Sequence, residues 1–242
     1  MIRLAAASLN TRVVWQTAAA IALSIAGSAA RPQGAVPADP AAEAAMQKFL
    51  DRESNPHQYR ASRRLEASGS GQRAWLQAQT DFTPEDGLRY EVTAEGGSGY
   101  IRSRVLRSML DEEQQLIARG ATAGVALSRE NYRFSPESID ADGLAVVAVT
   151  PLRKERALVI GKIYLTSEGD LVRLEGRLAK TPSFWLSRVE VTRSYRRLNG
   201  ALVPMALKSR AQMRLLGRST LEMTYQYSEI DYRAVSDEAL SN

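Results

Sequence analysis

The sequence predicts an exported α+β protein built around a strongly curved antiparallel sheet, and three observations support this prediction. An apolar amino-terminal segment has the features of a secretory signal peptide. About ten later segments alternate apolar and polar residues, and tight turns join many of them. Two further segments have the helical period of 3.6 residues. Because so many short strands do not fit a small flat sheet, the sheet is expected to curve strongly or to form a barrel that helices partly close.

Met1 to Ala30 is the predicted signal peptide. Arg3 and Arg12 supply positive charge, an apolar run follows, and small residues precede the expected cleavage site near Ala30 or Arg31. The alternative is a retained membrane anchor, although the apolar run of roughly 18 residues is at the short limit for a bilayer span. No cysteine follows the run, so no lipid can be attached there. We therefore expect an exported, soluble protein without a stable membrane anchor.

Residues 31–38 read as a linker, and residues 39–242 as a single domain. The whole chain has 32 basic and 27 acidic residues; without the two signal-peptide arginines, 30 basic and 27 acidic residues remain, a net charge of +3. A surplus this small and dispersed does not indicate nucleic-acid binding. The absence of cysteine excludes disulfides, thiol catalysis and thiolate metal sites. Burial of apolar surface must therefore stabilise the domain.

The first helix is predicted over Ala41 to Glu53. Asp39 can cap its free backbone N–H groups, Pro40 suits the first helical position, and Asn55-Pro56 ends it. From Gln58 the period changes to two, which predicts three strands joined by tight turns and lying within residues 58–66, 74–82 and 88–93.

A second amphipathic helix is predicted from about Tyr100 to Ala118. Explicit turn sequences then separate the later strands, and Asn199-Gly200 is a strong hairpin signal. The seven strands predicted after this helix are Tyr132–Ile139, Leu144–Val149, Leu158–Thr166, Leu171–Leu178, Trp185–Leu198, Leu202–Leu216 and Thr220–Tyr232.

The charged groupings read as solvated surfaces. The basic ones are interpreted as solvated strand faces in preference to an anion site, and the acidic ones as polar faces in preference to acid/base pairs. These groupings are Arg60, Arg63 and Arg64; Arg193, Arg196 and Arg197; Asp111-Glu112-Glu113; and Glu229 with Asp231.

No constellation predicts an enzyme. His57 is the only histidine, so it cannot join a histidine metal cluster, and it reads as a surface turn residue in preference to a catalytic base. Gly96-Gly97-Ser98-Gly99 could present N–H groups to an anion but lacks the lysine and spacing of a phosphate loop, which favours an ordinary loop. The sequence therefore predicts no catalytic residue, metal or cofactor.

Aromatic residues on the strand patterns are the candidate binding residues. They can pack an ordinary core between sheet and helices, or several of them can line a ligand cavity, and composition is the same in both cases. The candidates, together with one strand leucine, are Tyr59, Leu76, Phe82, Tyr90, Phe134, Trp185, Tyr195 and Tyr225.

The order of elements resembles the LolA/LolB-like superfamily of periplasmic proteins, to which the sensory domain of RseB is also similar. The motif-like stretches are Phe82 to Glu91, Pro182 to Trp185 and Met223 to Tyr227, and the resemblance covers roughly Asp39 to Tyr232. It implies an unclosed β-barrel with amphipathic helices over its concave face. It also implies an apolar concavity that takes lipids or acylated lipoproteins.

The leading hypothesis is therefore a periplasmic carrier for an apolar ligand, such as a lipid or a lipoprotein acyl chain, with lipoprotein sorting implied by the family resemblance. The alternative is a protein-interaction or signal-sensing module that uses the same fold to recognise an envelope protein. An enzyme is the third and least favoured reading.

Overall fold

A computed structural model describes residues 39–52, 55–180, 186–213 and 217–231. All four ranges belong to one compact unit. The predicted signal peptide, the linker and the stretch from Pro182 to Trp185 lie outside the described residues. Within the described ranges, no helix is both long and apolar enough to span a bilayer.

Helix α1 (Pro40–Asp51) begins as predicted. Its N-cap Asp39 accepts a hydrogen bond from the Ala41 backbone N–H at 2.9 Å, and the proline occupies the first helical position. The predicted second helix is a continuous run of three segments: α2 (Gly99–Ile101), a π-helical segment (Arg102–Arg107) and α3 (Ser108–Ala118). We call residues 99–118 the long helix. It ends where Gly120 adopts a φ of 63°.

Ten strands follow the predicted order. Strand β1 begins at Gln58, where the sequence period changes, and the hairpin turn at Asn199-Gly200 forms with both residues at positive φ. The strands are β1 (Gln58–Gly69), β2 (Gln72–Thr83), β3 (Gly87–Gly97), β4 (Tyr132–Ile139), β5 (Ala145–Pro151), β6 (Val159–Leu165), β7 (Leu171–Leu178), β8 (Leu186–Leu198), β9 (Ala201–Met213) and β10 (Gly217–Asp231).

The prediction that Gly96 and Gly97 lie in an ordinary loop was wrong. Gly96 and Gly97 form the end of β3, where they pair with Trp75 and Ala74 of β2, and are not part of a loop. A Cβ atom at Gly97 would overlap the Arg73 backbone carbonyl, so the glycine allows the two strands to approach closely. This contact explains the glycine without an anion-binding role.

All ten strands form one antiparallel sheet in the order β3-β2-β1-β10-β9-β8-β7-β6-β5-β4. The first strand pairs with the last, so β3 and β4 are the two free edges and the sheet does not close. Register shifts between Arg60 and Ala61 and between Ser194 and Tyr195, among others, bend the strands. The predicted α+β class with a curved, unclosed sheet is confirmed.

The core lies on one face of this sheet, which we call the inner face. Helix α1 covers one apolar cluster on β4 to β7, and the long helix covers a second on β1, β2 and β8 to β10. Leu178 packs against both clusters, so they are neighbouring parts of one face. Leu106 and Leu110 of the long helix and Leu65 and Leu76 of the sheet are fully buried in the second cluster.

Helix α1 is held closely by the β6–β7 turn. A Cβ atom on Gly169 would lie 2.7 Å from both the Lys48 Cβ and the Phe49 backbone nitrogen, so only glycine allows the turn to touch the helix. Lys48 also donates a hydrogen bond to the Ser167 carbonyl at 2.9 Å. In addition, Asp170 forms ion pairs with Arg52 beside the helix end and with Arg197 of β8. Helix α1 is therefore attached through backbone packing as well as through side chains.

Candidate functional site

A buried arginine lies where the long helix crosses the inner face. Arg63 of β1 lies two residues from both Ala61 and Leu65, so its side chain points to the same face as theirs. Only 1% of it is exposed. Its guanidinium donates two hydrogen bonds to Glu113 of α3, at 2.5 and 3.1 Å. This paired ionic contact links the helix to the floor of the sheet.

Tyrosines surround the guanidinium of Arg63. Its Nη2 donates to the Tyr59 hydroxyl at 2.9 Å, and its Cζ lies 4.9 Å from the ring centre of Tyr225. Tyr227 stacks on Tyr225 with ring centres 6.1 Å apart and meets Tyr59 edge-on at 5.7 Å. We call Tyr59, Arg63, Glu113, Tyr225 and Tyr227 the arginine–tyrosine cluster.

The cluster combines a permanent positive charge with neutral phenols. Desolvation by burial acts to lower the pKa of Arg63, but Glu113 outweighs it and the pKa is raised. Burial raises the pKa of Tyr59 and of Tyr225 to about 12, and it also raises the pKa of Tyr227. These groups are therefore placed to donate and accept hydrogen bonds, not to exchange protons near neutral pH.

Alkaline titration tests this burial. Burial, together with a hydrogen bond to Asp111, also raises the pKa of Tyr90 to about 12. Since the folded-state pKa values of Tyr59, Tyr90 and Tyr225 exceed the ordinary value of about 10, their stabilisation is complete below that pH and is lost as the pH rises through about 12. We expect tyrosinate absorbance to show a late phase in the folded protein. The same titration in denaturant should lack it; coincident curves would contradict the burial.

A second arginine lies on the inner face close to this cluster. Arg193 of β8 pairs in register with Leu207, which belongs to the apolar cluster under the long helix. Desolvation by the surrounding protein acts to lower the pKa of Arg193, but Tyr195, Tyr225 and Glu113 outweigh it and the pKa is raised. Its side chain is nevertheless exposed. Arg193 is thus exposed to solvent and close enough to the arginine–tyrosine cluster to interact with two of its members, Tyr225 and Glu113.

These contacts correct the interpretation of the charged groupings. Arg63 is buried, not solvated, and Glu113 is its ionic partner. Asp111 is likewise not a plain surface acid, because it accepts a hydrogen bond from the Tyr90 hydroxyl. The alternating pattern of β1 was the signal that the sequence analysis missed. It places the charged Arg63 on the same face as its apolar neighbours two residues away. The helical period similarly places Glu113 four residues after Met109, on the apolar stripe.

The structure brings only some of the predicted binding residues together. Tyr59 and Tyr225 belong to the arginine–tyrosine cluster, and Phe82 stacks on Tyr59 with ring centres 5.5 Å apart. Leu76 is fully buried under the long helix, and Tyr90 packs against the same apolar cluster. The clustering of Tyr59, Phe82 and Tyr225 depends on the pairing of β1 with both β2 and β10.

Other predicted binding residues lie elsewhere. Phe134 packs under α1, 6.4 Å from Phe49 between ring centres, and Tyr195 packs against the edge of the same apolar cluster. Trp185 lies outside the described residues. The eight candidates therefore do not form one continuous set in the described part of the fold.

The opposite face of the sheet is polar. A depression of about 470 Å³ is lined in part by Glu175, Arg177, Arg188 and Glu190, which alternate with inward residues of β7 and β8. Its charged lining does not suit an apolar ligand. The apolar surface lies on the inner face, where the two helices cover it.

Comparison with known proteins gave one structural likeness. No protein-family model matches the chain, and no curated protein matches it. A search of solved structures finds the crystal structure of the LolA superfamily protein NE2245 from Nitrosomonas europaea, with 10% sequence identity and a TM-score of 0.34. The match covers 83% of this chain and 97% of that chain.

Proposed function

We propose that the protein is a periplasmic carrier that binds an acyl chain, from a lipid or an acylated lipoprotein, between the long helix and the inner face of the sheet. The observation that carries this proposal is an apolar inner face on a sheet with two free edges, covered by helices and not by a second sheet. Displacing a covering helix would expose a continuous apolar surface. Removal of Met1 to about Ala30 during export would release the carrier into the periplasm.

The long helix is the better candidate for the movable cover. Helix α1 packs Ala42 and Ala45 tightly and touches the backbone of the β6–β7 turn at Gly169. The long helix instead carries a π-helical segment, a feature frequent at functional sites. Its polar ties to the sheet run through side chains: the buried Arg63–Glu113 pair and, on β3, the ion pairs of Arg102 and Arg107 with Glu95. Its departure would uncover apolar side chains that suit an acyl chain, among them Leu65, Leu76, Ala78 and Met223.

Mass spectrometry of the purified mature protein tests the carrier function. We expect an acyl lipid to copurify and to be retained under native conditions. After delipidation, the protein should bind a neutral apolar fluorophore such as N-phenyl-1-naphthylamine, and added lipid should displace it. A preparation that is always empty and binds neither probe would contradict the carrier function and would favour the protein-interaction module.

Hydrogen exchange locates the ligand in the same material. Without ligand, amides of Ser108–Ala118 should exchange faster than those of α1 and of β1, because the long helix opens alone. Bound lipid should slow exchange in the long helix and on the inner-face strands. Protection confined to α1 would indicate that the ligand lies under α1 and would contradict binding under the long helix.

A further inference from the structure

A ligand that displaces the long helix must separate the buried ion pair between that helix and the sheet. Glu113 is the carboxylate that neutralises the buried Arg63, and it is attached to α3. When α3 moves away and a ligand covers the same apolar face, Arg63 stays shielded from water but has lost its partner. An uncompensated buried charge is strongly unfavourable. A ligand that brings its own anion avoids this cost, whereas a neutral ligand does not.

Two hydrogen-bond donors on the inner face are available to such an anion. The Nε of Arg63 is buried and has no hydrogen-bond partner among the described residues. Arg193 lies exposed on the same face and interacts electrostatically with Glu113 and Tyr225. Across the described ranges, its side-chain hydrogen bond is to Tyr195, and it has no ion pair with a carboxylate. In the part of the chain that the structure describes, Arg63 and Arg193 thus place two guanidinium groups near the carboxylate of Glu113.

We propose that Arg63 and Arg193 together bind the anionic head group of an acyl ligand, and that this head group replaces Glu113 as the partner of Arg63 when the long helix opens. This inference rests on the proposed carrier function and specifies its substrate class. The ligand is an acyl chain bearing a carboxylate or phosphate. The phenols of Tyr59 and Tyr225 border the guanidinium of Arg63 and can complete the head-group contacts.

Calorimetric titration of delipidated protein with chain-matched dodecyl compounds tests the inference. We expect dodecanoate and dodecyl phosphate to bind at least roughly tenfold more tightly than dodecanol, because charge-assisted hydrogen bonds are involved. Dodecyltrimethylammonium should bind more weakly than dodecanol. The ratio between the two anions distinguishes a carboxylate from a phosphate site. If all four compounds bind equally, the inference fails and the carrier function stands; if none binds, the carrier function itself fails.

Arg193→Gln tests the role of the exposed guanidinium. The variant should lose most of the preference for dodecanoate over dodecanol, because its affinity for dodecanoate falls more than its affinity for dodecanol. Arg196→Gln is the matched control, because Arg196 lies three residues further along β8, is exposed, and alternates to the other face. An equal loss of preference in both variants, or in neither, would contradict the assignment of Arg193.

Glu113→Gln tests the exchange at Arg63. This variant lacks the competing carboxylate, so dodecanoate should raise its unfolding temperature more than it raises that of Glu112→Gln, and this difference between the variants should be larger for dodecanoate than for dodecanol. Glu112 is a suitable control since it is exposed and adjacent to Glu113. Identical dodecanoate shifts in the two variants would contradict the replacement of Glu113 by the ligand.

Discussion

Glu113→Gln is expected to lower the free energy of unfolding by about 3 kcal/mol, because removing one partner of a buried ion pair leaves an uncompensated charge. Arg63 keeps its charge and is 1% exposed, so solvent cannot replace the lost carboxylate. Urea unfolding monitored by circular dichroism measures the change. The loss in free energy of unfolding should be largest in ligand-free protein, because the long helix then packs directly on the sheet.

Two comparisons separate the ionic effect from a general loss of helix stability. Glu112→Gln, at an exposed neighbouring position, should change the free energy of unfolding by less than about 0.5 kcal/mol. Arg63→Met should cost less than Glu113→Gln, because 34% of the Glu113 side chain is exposed and its charge remains solvated. Equal destabilisation by Glu112→Gln and Glu113→Gln would show that Arg63 does not depend on Glu113.

Gly161→Ala is expected to destabilise the fold by about 2–3 kcal/mol through overpacking. Gly161 of β6 pairs directly with Gly176 of β7, and a Cβ atom on Gly161 would overlap the backbone carbonyl oxygen of Glu175. Relief requires the two strands to separate, since the obstructing atom belongs to the backbone and not to a flexible side chain. The separation would also disturb the apolar cluster under α1.

Gly99→Ala is the control for this substitution. The new methyl group would meet only the Arg102 side chain, at 3.7 Å, and the position begins a helix. Its effect should stay within about 1 kcal/mol and can be stabilising, because alanine favours helix. Thermal and urea unfolding of both variants measure the difference. Equal stability of the two would show that β6 and β7 have room for a side chain at their glycine pair.

Local sequence signals determined most elements of this protein. Asp39-Pro40 predicted the start of α1, Asn199-Gly200 predicted the β8–β9 hairpin, and the alternating patterns predicted all ten strands. These features depend on interactions between residues close together in the chain, such as capping, turn conformation and side-chain alternation. The same alternation pointed Arg63 inward, which was the available signal for the candidate site.

The tertiary structure alone decided how those elements combine. Pairing of β1 with β10 joins segments from opposite ends of the domain, and this pairing leaves β3 and β4 as the free edges. It also brings Tyr225 over Arg63, while α3 supplies Glu113 from above. No local pattern encodes the partner of a buried charge, because that partner is selected by packing between distant segments. The alternating sequence indicated which strand residues face inward, and the tertiary structure determined that two of them, Arg63 and Arg193, lie near the carboxylate of Glu113.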